Sequence, residues 1–367
     1  MKRILILTVG YGEGHNAAAR SLAAGITDIG GADVAVEVLD LFEKTYGKRQ
    51  DLSKKIYLGM INQSPLLWAF VYWLLDRTPL LNWIVLPSLF SLKRTLIRTL
   101  QEKNPDVVVS TYPVYARLFD KLPRAVVTFK QYTLVTDSIT VNRAWISKTT
   151  DGYFVPNADT AAVVKGFGVA ADKVHVLGFP VPLLFADARP VRPDPNPPRV
   201  LFMVNYDKER APLLVEKLLT SIPGLHLTVT VGRDETLRQR VETAAAKSGK
   251  SVEIHGWTNQ MPQLLMTHHI LIGKAGGAAT QEAISAATPF IITQIVPGQE
   301  LGNAQLIENH RCGAVCTTHD KIVSTIQRVF ANHAAEWSEW AKAMQALSSP
   351  DSARTTARFV LANAGKK

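Results

Sequence analysis

The stretch TVGYGEGHNAAARSL, from Thr8 to Leu22, follows the apolar run ILIL at residues 4–7. The apolar run predicts a buried strand, and the alanine-rich sequence from His15 onward predicts a helix. The three glycines between them permit a tight turn and a close approach of the backbone to a ligand. A strand, a glycine loop and a helix in this order predict a doubly wound α/β domain, in which ligands bind beyond the carboxyl ends of the strands.

The glycine spacing of this loop does not name a ligand. Gly10, Gly12 and Gly14 depart from the dinucleotide-binding fingerprint, because His15 follows the last of them and no glycine comes at the next required offset. The absence of Gly-Lys-Ser/Thr excludes a P-loop. Two interpretations of His15 are open. It caps the helix or faces water, or it is a neutral imidazole, with its pKa lowered by the positive helix end, that acts as a general base.

The composition of the whole chain predicts a globular protein of about two domains. The chain has 367 residues, of which 47% are hydrophobic and 20% are charged, and its formal net charge is +10. That charge indicates an anionic partner such as a nucleic acid, a nucleotide or an acidic lipid. The longest basic runs are pairs such as Lys54-Lys55, and no zinc-finger or RNP-like signature occurs, which disfavours nucleic acid.

The cysteine content and the N-terminal sequence predict a cytoplasmic protein. Cys312 and Cys316 are the two cysteines, and no second pair completes a zinc site. The first residues, MKRILILTVGYGEGH, lack the apolar region and the cleavage site of a signal peptide. A reducing cytoplasm fits both observations.

Seven prolines between Gly178 and Val200 mark a boundary between two halves of the chain. Their density predicts a semi-rigid spacer with neither a helix nor a central strand. The run VLFMV at residues 200–204 then starts a new strand, as ILIL does near the N-terminus. The predicted organisation is an N-terminal domain, a proline-rich linker, a C-terminal domain and a C-terminal helix that packs back on the N-terminal domain, at residues 1–183, 184–198, 199–345 and 346–367.

An apolar, tryptophan-rich region lies in the first half. The stretch from Ile56 to Leu75 carries no charge, but Asn62–Pro65 interrupts it. A transmembrane helix needs about 20 consecutive apolar residues, so none is predicted here. Aromatic side chains followed by cations are typical of a surface that binds at lipid headgroups. The alternative is a set of ordinary core helices. The residues concerned are Trp68, Tyr72, Trp73, Trp83, Lys93, Arg94 and Arg98.

The second half contains a more specific pattern, between Gly256 and Ile307. ILIG at residues 270–273 predicts a buried strand, after which Lys274-Ala275-Gly276-Gly277 turns into the helix AATQEAISAA. The paired glycines leave room for a diphosphate against the helix N-terminus, where backbone N–H groups donate to it. Glu282, little more than one turn into the helix, is placed to accept hydrogen bonds from a ribose diol.

The sequence Pro297-Gly298-Gln299-Glu300 follows the next predicted strand, FIIT at residues 290–293. The carboxyl ends of parallel strands meet at one edge of a sheet, so Gln299 and Glu300 are expected at the same rim as the glycine turn. This combination predicts a nucleotide-sugar site.

Four segments, in order along nearly the whole chain, resemble the monogalactosyldiacylglycerol synthase and processive diacylglycerol glycosyltransferase family. They are TVGYGEGHNAAA, LVTDSITVNRAWISKTTDGYFVPN (134–157), VHVLGFPV (174–181) and the pattern GKAGG…EA…P…PGQE..N. The resemblance implies a GT-B fold, with two Rossmann-like doubly wound α/β domains facing each other across a cleft. It also implies that the C-terminal domain binds a UDP-sugar, that the N-terminal domain binds the lipid acceptor, and that the reaction is inverting and needs no metal.

The resemblance implies a role for each matching residue. His15 stands at the position of the family's proposed base for the acceptor hydroxyl, and Asp137, in the Thr-Asp element, supports or orients the acceptor site. Both are candidate catalytic residues. The candidate donor contacts are Trp257 near the uracil, Lys274, Gly276 and Gly277 at the diphosphate, Glu282 at the ribose, and Gln299 and Glu300 at the sugar hydroxyls. The candidate acceptor and membrane contacts are Gly12, Gly14, Trp68, Trp73 and Trp83.

The expected partners are UDP-glucose or UDP-galactose, diacylglycerol and anionic lipids, without nucleic acid. No cofactor or metal is expected, because the UDP-sugar is a substrate. The protein is expected to be peripheral at the inner face of the cell membrane. The alternatives are transfer to another acceptor such as a polyprenyl-linked sugar, a nucleotide-sugar epimerase, and a lipid- or nucleotide-binding homologue without catalysis.

Two departures from the family pattern bear on these roles. Asn142 stands where galactolipid synthases place a His five residues after the Asp, which puts proton transfer at this position in doubt. The loop after the first strand of the donor domain, MVNYDKERA at residues 203–211, contains no glycine. Its Lys208 and Arg210 are either substitute phosphate contacts or members of a solvated loop.

Overall fold

The computed structural model describes residues 1–10, 12–47, 80–296, 298 and 300–365, and in the helix that begins at Leu80 it describes side chains from Leu89 onward. The chain forms two compact units. The first consists of Met1–Leu183, Val296–Gly302 and Ser349–Lys367, and the second consists of Leu184–Ile295 and Asn303–Ser348.

The first unit is built on a parallel six-stranded sheet with the strand order β2-β1-β3-β4-β5-β6. Its strands are β1 (Lys2–Thr8), β2 (Val34–Asp40), β3 (Val107–Ser110), β4 (Lys130–Leu134), β5 (Gly152–Val155) and β6 (Val174–Val176). Its helices are α1 (Glu13–Gly30), α2 (Leu41–Tyr46), α3 (Leu80–Lys103), α4 (Pro113–Phe119) and α5 (Ala158–Gly166). The predicted strand at residues 4–7 and the helix after it are therefore β1 and α1.

Apolar side chains of the central strands form the core of this unit with the helices. Leu5, Leu7 and Val108 pack in one cluster with Leu96 of α3 and Phe119 of α4. Strands of a parallel sheet are buried on both faces, which explains why β1 and β3 are almost continuously apolar.

The second unit repeats the arrangement with the strand order β12-β11-β10-β7-β8-β9. Its strands are β7 (Arg199–Met203), β8 (His226–Gly232), β9 (Glu253–Gly256), β10 (Ile270–Lys274), β11 (Phe290–Gln294) and β12 (Gly313–Val315). Its helices, in chain order after α5, are α6 (Leu184–Asp187), α7 (Ala211–Ser221), α8 (Glu235–Ser248), α9 (Met261–Thr267), α10 (Gly277–Ser285), α11 (Leu301–Asn309), α12 (His319–Val329) and α13 (Ala331–Leu347). The strands predicted at residues 200–204, 270–273 and 290–293 correspond to β7, β10 and β11.

The proline-rich segment differs from the expected spacer in two respects. The expectation that it contains no helix is wrong for α6, which lies in the proline-free stretch between Pro182 and Pro190. The segment also packs as part of the second unit, because Arg192 donates through Nε to the carbonyl of His268 (2.7 Å) and through Nη2 to that of Ala286 (2.6 Å).

The C-terminal helix, α14 (Ser352–Ala362), belongs to the first unit and packs on α1. A Cβ at Gly25 would lie 2.6 Å from the carbonyl oxygen of Ala353, so this glycine is required for the close approach of the two helices. Arg354 of α14 donates to Asp28 of α1 over 2.7 Å. Among the described residues, no helix is long and apolar enough to cross a membrane.

Candidate functional site

His15 lies in the first turn of α1, just beyond the carboxyl end of β1. Gly12, not His15, occupies the cap position before the helix, so the capping interpretation of His15 is wrong. The imidazole Nδ1 is 2.7 Å from the hydroxyl of Thr136, which follows β4. The ring also meets the ring of Tyr112 edge-on, with the centroids 5.1 Å apart. His15, which follows β1, therefore contacts side chains that follow the two neighbouring strands β3 and β4.

Desolvation of its half-buried side chain determines the protonation state of His15. Burial lowers the pKa of its imidazole to about 4, and a hydrogen bond with the backbone of Thr111 opposes that shift. At neutral pH the ring is therefore uncharged, as a general base must be before it accepts a proton. The predicted lowering of the pKa is present, and its cause is desolvation of the ring.

Asp137 is adjacent to Thr136 and has a partner of its own. Its Oδ2 accepts a hydrogen bond from Nε1 of Trp145 (2.7 Å). Burial raises the pKa of the Asp137 carboxyl to about 6, and the bond from Trp145 opposes the shift. The indole of Trp145 is fully buried and its centroid lies 6.1 Å from that of His15, so it packs between the two candidate catalytic residues.

Asn142, which replaces the family's histidine, has a structural role here. Its Oδ1 accepts a hydrogen bond from the backbone N–H of Ala144 (2.7 Å) and thereby caps the short 3-10 turn Arg143–Trp145. An asparagine is well suited to such a cap. Asn142 thus fixes the turn that carries Trp145, which is the hydrogen-bond partner of Asp137.

The glycine loop differs in part from the prediction. Gly14 belongs to α1, because the helix already begins at Glu13, so it is not part of the turn. Gly12 is exposed, and among the described residues no atom lies within 4 Å of the position that a Cβ would take there. Glu13 points outward and pairs with Arg20.

The predicted donor motif is divided between the two units, with the glycine turn in the second and the PGQE segment in the first. Glu300 belongs to the first unit, in the loop Val296–Gly302, and its side chain is buried. Its Oε2 accepts a hydrogen bond from the backbone N–H of Val296 (2.9 Å), which closes the loop on itself. Gln299 lies outside the described residues, as do Trp68 and Trp73 and the side chain of Trp83.

The glycine turn lies in the second unit, where β10 ends at Lys274 and α10 begins at Gly277. Gly276 occupies the cap position, and no atom of the described residues lies within 4 Å of the place where its Cβ would be. The first N–H groups of a helix lack acceptors within it, so this open turn presents donors to an anion. Glu282 lies five residues after Gly277 and is half-buried.

Two asparagines hold this turn, and the sequence reasoning assigned neither of them. Asn205, after β7, accepts a hydrogen bond from the backbone N–H of Lys274 (3.2 Å). Asn303, in α11, donates to the carbonyl of Ala275 (2.9 Å). Asn205 lies in the glycine-free loop, so that loop contributes an amide oxygen to the turn. The cations of the loop have partners within the unit, Lys208 with Asp234 at 2.8 Å and Arg210 with Asp207 at 3.9 Å.

Trp257 follows the carboxyl end of β9 and is exposed by 65%. The guanidinium of Arg233, which follows β8, lies over its ring, with Cζ 5.3 Å from the centroid. A cation over one face of an indole holds the ring in place. An exposed and fixed aromatic ring at this edge of the sheet is a platform for stacking a planar base.

Comparison with known proteins agrees with these observations. The family model described as monogalactosyldiacylglycerol (MGDG) synthase matches residues 15–181. The chain is similar to this family over these residues. It is 26% identical over 331 residues to the processive diacylglycerol beta-glucosyltransferase of Bacillus mycoides strain KBAB4, covering 85% of this chain and 81% of the relative. The protein of the same description from Bacillus cereus strain B4264 is 26% identical over 335 residues, which are 87% of this chain and 82% of that one.

Solved structures show the fold. MurG of Acinetobacter baumannii superposes with a TM-score of 0.63 at 14% identity, covering 99% of this chain and 100% of that one. Arabidopsis thaliana UGT89C1, complexed with UDP, superposes with a TM-score of 0.61 at 13% identity, covering 99% of each chain. The predicted GT-B fold and the predicted family resemblance are confirmed, and the protein is a glycosyltransferase.

Within the described ranges, no group of three or more His, Cys, Asp and Glu side chains is arranged to hold a metal ion. Cys312 and Cys316 are both free and buried.

Proposed function

We propose that the protein transfers a hexose from UDP-glucose or UDP-galactose to diacylglycerol or a related lipid, with inversion and without a metal ion, as a peripheral protein at the cytoplasmic face of the membrane. One observation carries the proposal. His15 is a half-buried, neutral imidazole whose Nδ1 is fixed by Thr136 at the carboxyl edge of the first sheet. The relatives described as processive diacylglycerol beta-glucosyltransferases support the lipid acceptor and the hexose.

The donor nucleotide binds at the carboxyl edge of the second sheet in this proposal. The uracil stacks on Trp257, the ribose diol donates to the carboxylate of Glu282, and the diphosphate lies at Gly276 and Gly277. The N–H groups at the start of α10 stabilise the charge that develops on the departing UDP. Lys274, at the end of β10, lies two residues before Gly276 and is the cation nearest in sequence to the two glycines.

The transfer itself is a direct displacement. His15 takes the proton from the acceptor hydroxyl as the hydroxyl oxygen forms a bond to the anomeric carbon. The bond from that carbon to the phosphate oxygen breaks at the same time, and UDP leaves with the electron pair, so the anomeric configuration inverts. A positioned base of this kind contributes roughly 10²- to 10⁴-fold to the rate. Gln299 and Glu300 hold the sugar hydroxyls.

The acceptor reaches this site from the lipid surface. Trp68, Trp73 and Trp83 provide the aromatic contacts with lipid headgroups, and Gly12 and Gly14 leave space for the acceptor headgroup. The formal net charge of +10 favours an anionic leaflet.

Release of UDP tests this proposal. With UDP-glucose or UDP-galactose and vesicles of diacylglycerol and an anionic phospholipid, the protein is expected to release UDP at a rate that depends on diacylglycerol. The measurement is a coupled assay for UDP, with vesicles lacking diacylglycerol as the control. UDP release that requires a polyprenyl-linked sugar in place of diacylglycerol would contradict the proposal. The absence of UDP release with either acceptor would contradict it as well.

The pH dependence of kcat/KM distinguishes the two candidate catalytic groups. Burial raises the pKa of Asp137 to about 6, so its carboxylate is ionised above that pH and protonated below it. Only the carboxylate makes a charge-assisted bond to Trp145 and holds the indole firmly against His15. With the His15 pKa lowered to about 4, the imidazole stays neutral throughout this range. We therefore expect kcat/KM of the wild type to fall as the pH drops through about 6.

The variant Asp137→Asn is expected to lose this fall in kcat/KM. Its kcat/KM should be lower than that of the wild type and nearly constant down to about pH 5. Asp33→Asn, an exposed carboxylate in the same unit, is the control and is expected to keep the wild-type profile. If kcat/KM of both the wild type and Asp137→Asn fell at the ordinary histidine pKa, His15 would titrate like an exposed imidazole, and the assignment of the fall to Asp137 would be wrong.

A further inference from the structure

Thr140 bonds to both sides of the loop that carries Gln299 and Glu300. The segment Val296–Gly302, here called the PGQE loop, includes the first two residues of α11 and belongs to the first unit, whereas the rest of that helix belongs to the second. The Thr140 hydroxyl donates to the carbonyl of Gly298 (3.1 Å) and accepts from the backbone N–H of Gly302 (3.1 Å). These two bonds lie on either side of the two residues that the proposed function assigns to the sugar hydroxyls.

The approach between the two segments is too close for any side chain at Gly302. A Cβ there would lie 1.7 Å from the carbonyl oxygen of Ser138 and 2.6 Å from the backbone nitrogen of Thr140. Real Cβ atoms do not come this near to backbone, so only glycine permits the contact. The fit therefore depends on the backbone of both segments.

The turn that presents Thr140 has an uncommon backbone conformation. Ile139 has a φ of +54°, which is strained for a β-branched residue. The backbone N–H of Ile139 donates to the hydroxyl of Thr160 (3.1 Å), and that hydroxyl donates to Asn157 (2.8 Å). Strain of this kind persists where the surrounding structure holds it, and it is common at functional sites.

The position of this turn in the sequence connects it to the candidate base. Thr136 contacts the imidazole of His15, Asp137 follows it, and Thr140 comes three residues later. One short segment thus contacts both the imidazole and the PGQE loop.

We infer that Thr140 is a positioning residue that holds the PGQE loop, and with it the contacts to the donor sugar, in register with the segment that holds His15. The inference rests on the proposed function, because that proposal assigns the sugar contacts to this loop. Thr140 acts on the sugar moiety through the loop, and it has no role in binding the nucleotide. The variant Thr140→Val, which keeps the shape and removes both hydrogen bonds, should therefore weaken the binding of UDP-hexoses and not that of UDP.

Calorimetric titration without lipid tests this inference independently of turnover. The probes are UDP-glucose, UDP-galactose and UDP. In Thr140→Val, the Kd of the better-bound UDP-hexose is expected to rise roughly tenfold, since two hydrogen bonds that position the loop are lost. The Kd of UDP is expected to stay within about twofold. Thr140→Ser, which restores the hydroxyl, is expected to return the UDP-hexose Kd to about the wild-type value.

A second threonine in the same unit supplies the matched control. Thr150 is buried, and its hydroxyl also makes two bonds to backbone groups, the carbonyls of Gln131 and Gly152, at 3.1 Å each. Thr150→Val is expected to lower the melting temperature and to leave the Kd of both UDP and the UDP-hexoses unchanged. Gly302→Ala is expected to raise the UDP-hexose Kd at least as much as Thr140→Val does.

Three results with the variants would overturn the inference. They are an unchanged UDP-hexose Kd in Thr140→Val, an equal rise in the Kd of UDP, and an unrestored Kd in Thr140→Ser. A wild type that binds no UDP-hexose would overturn it as well. A wild type that binds UDP-hexoses, shows the Thr140 pattern and transfers no sugar to diacylglycerol supports the inference, while the proposed acceptor fails.

Discussion

Replacing His15 with alanine is expected to lower kcat about a thousandfold, within the range that a positioned general base contributes. The reason is that the half-buried imidazole, with its pKa lowered to about 4, is the proposed base that takes the acceptor proton. The Kd of UDP is expected to stay unchanged, because the nucleotide contacts that we propose lie in the second unit. Steady-state turnover of a UDP-hexose with diacylglycerol vesicles, together with calorimetric titration of UDP, gives both quantities.

His226→Ala is the matched control for this variant. His226 is exposed at the start of β8, so its removal is expected to leave kcat unchanged. Thr136→Val probes the partner of the imidazole Nδ1 and is expected to lower kcat by about tenfold, because the ring loses a hydrogen bond that orients it. If His15→Ala kept the kcat of the wild type, the assignment of the base would be wrong.

Replacing Glu282 with glutamine is expected to raise the Kd of UDP and of UDP-hexoses equally, by roughly 10- to 100-fold, because hydrogen bonds to a charged group contribute about 1.5–3 kcal/mol. A ribose diol donates two hydrogen bonds to a carboxylate, and the neutral amide accepts them less strongly. Uridine, UDP and UDP-glucose are to be titrated in parallel, since the ribose is common to all three.

Glu308→Gln provides the control, because Glu308 is exposed on α11 in the same unit. Its Kd values are expected to equal those of the wild type. A Glu282→Gln protein that binds UDP as tightly as the wild type would show that the ribose is bound elsewhere. A loss for UDP-glucose alone would instead assign Glu282 to the sugar.

The equal effect on UDP and UDP-hexoses at Glu282 contrasts with the selective effect expected at Thr140. In the proposed function Glu282 contacts the nucleotide directly, whereas Thr140 is inferred to position the loop assigned to the sugar. The pair of variants therefore separates the nucleotide contacts from the sugar contacts of the donor.

Much of the fold was predictable from short apolar runs. ILIL, ILIG and FIIT fall within β1, β10 and β11, and VLFMV overlaps β7 in four of its five residues, because buried parallel strands require side chains that are apolar on both faces. Helix starts were less predictable. Gly14 has helical backbone because α1 begins before it, and α6 forms between two prolines because four residues are enough for one turn.

The environment of His15 was not predictable from its own motif. Thr136 and Tyr112 are 121 and 97 positions away in the sequence and meet the imidazole because β3 and β4 end at the same edge of the sheet as β1. The Thr-Asp pair was visible as a family element, but the contact of its Thr136 hydroxyl with the imidazole of His15 was not. The packing of the PGQE loop on Thr140 also depends on chain segments 158 positions apart, for which local periodicity carries no signal.

The most direct test of the central claim is identification of the lipid product. The protein is to be incubated with diacylglycerol in anionic vesicles and with UDP-glucose or UDP-galactose, and the extracted lipids are to be analysed by mass spectrometry and by the proton coupling of the anomeric centre. The account predicts diacylglycerol carrying a first hexose in the inverted, β configuration, from one of the two donors, and no such product with His15→Ala. An α-linked product, or a hexose found on another acceptor and not on diacylglycerol, would contradict it.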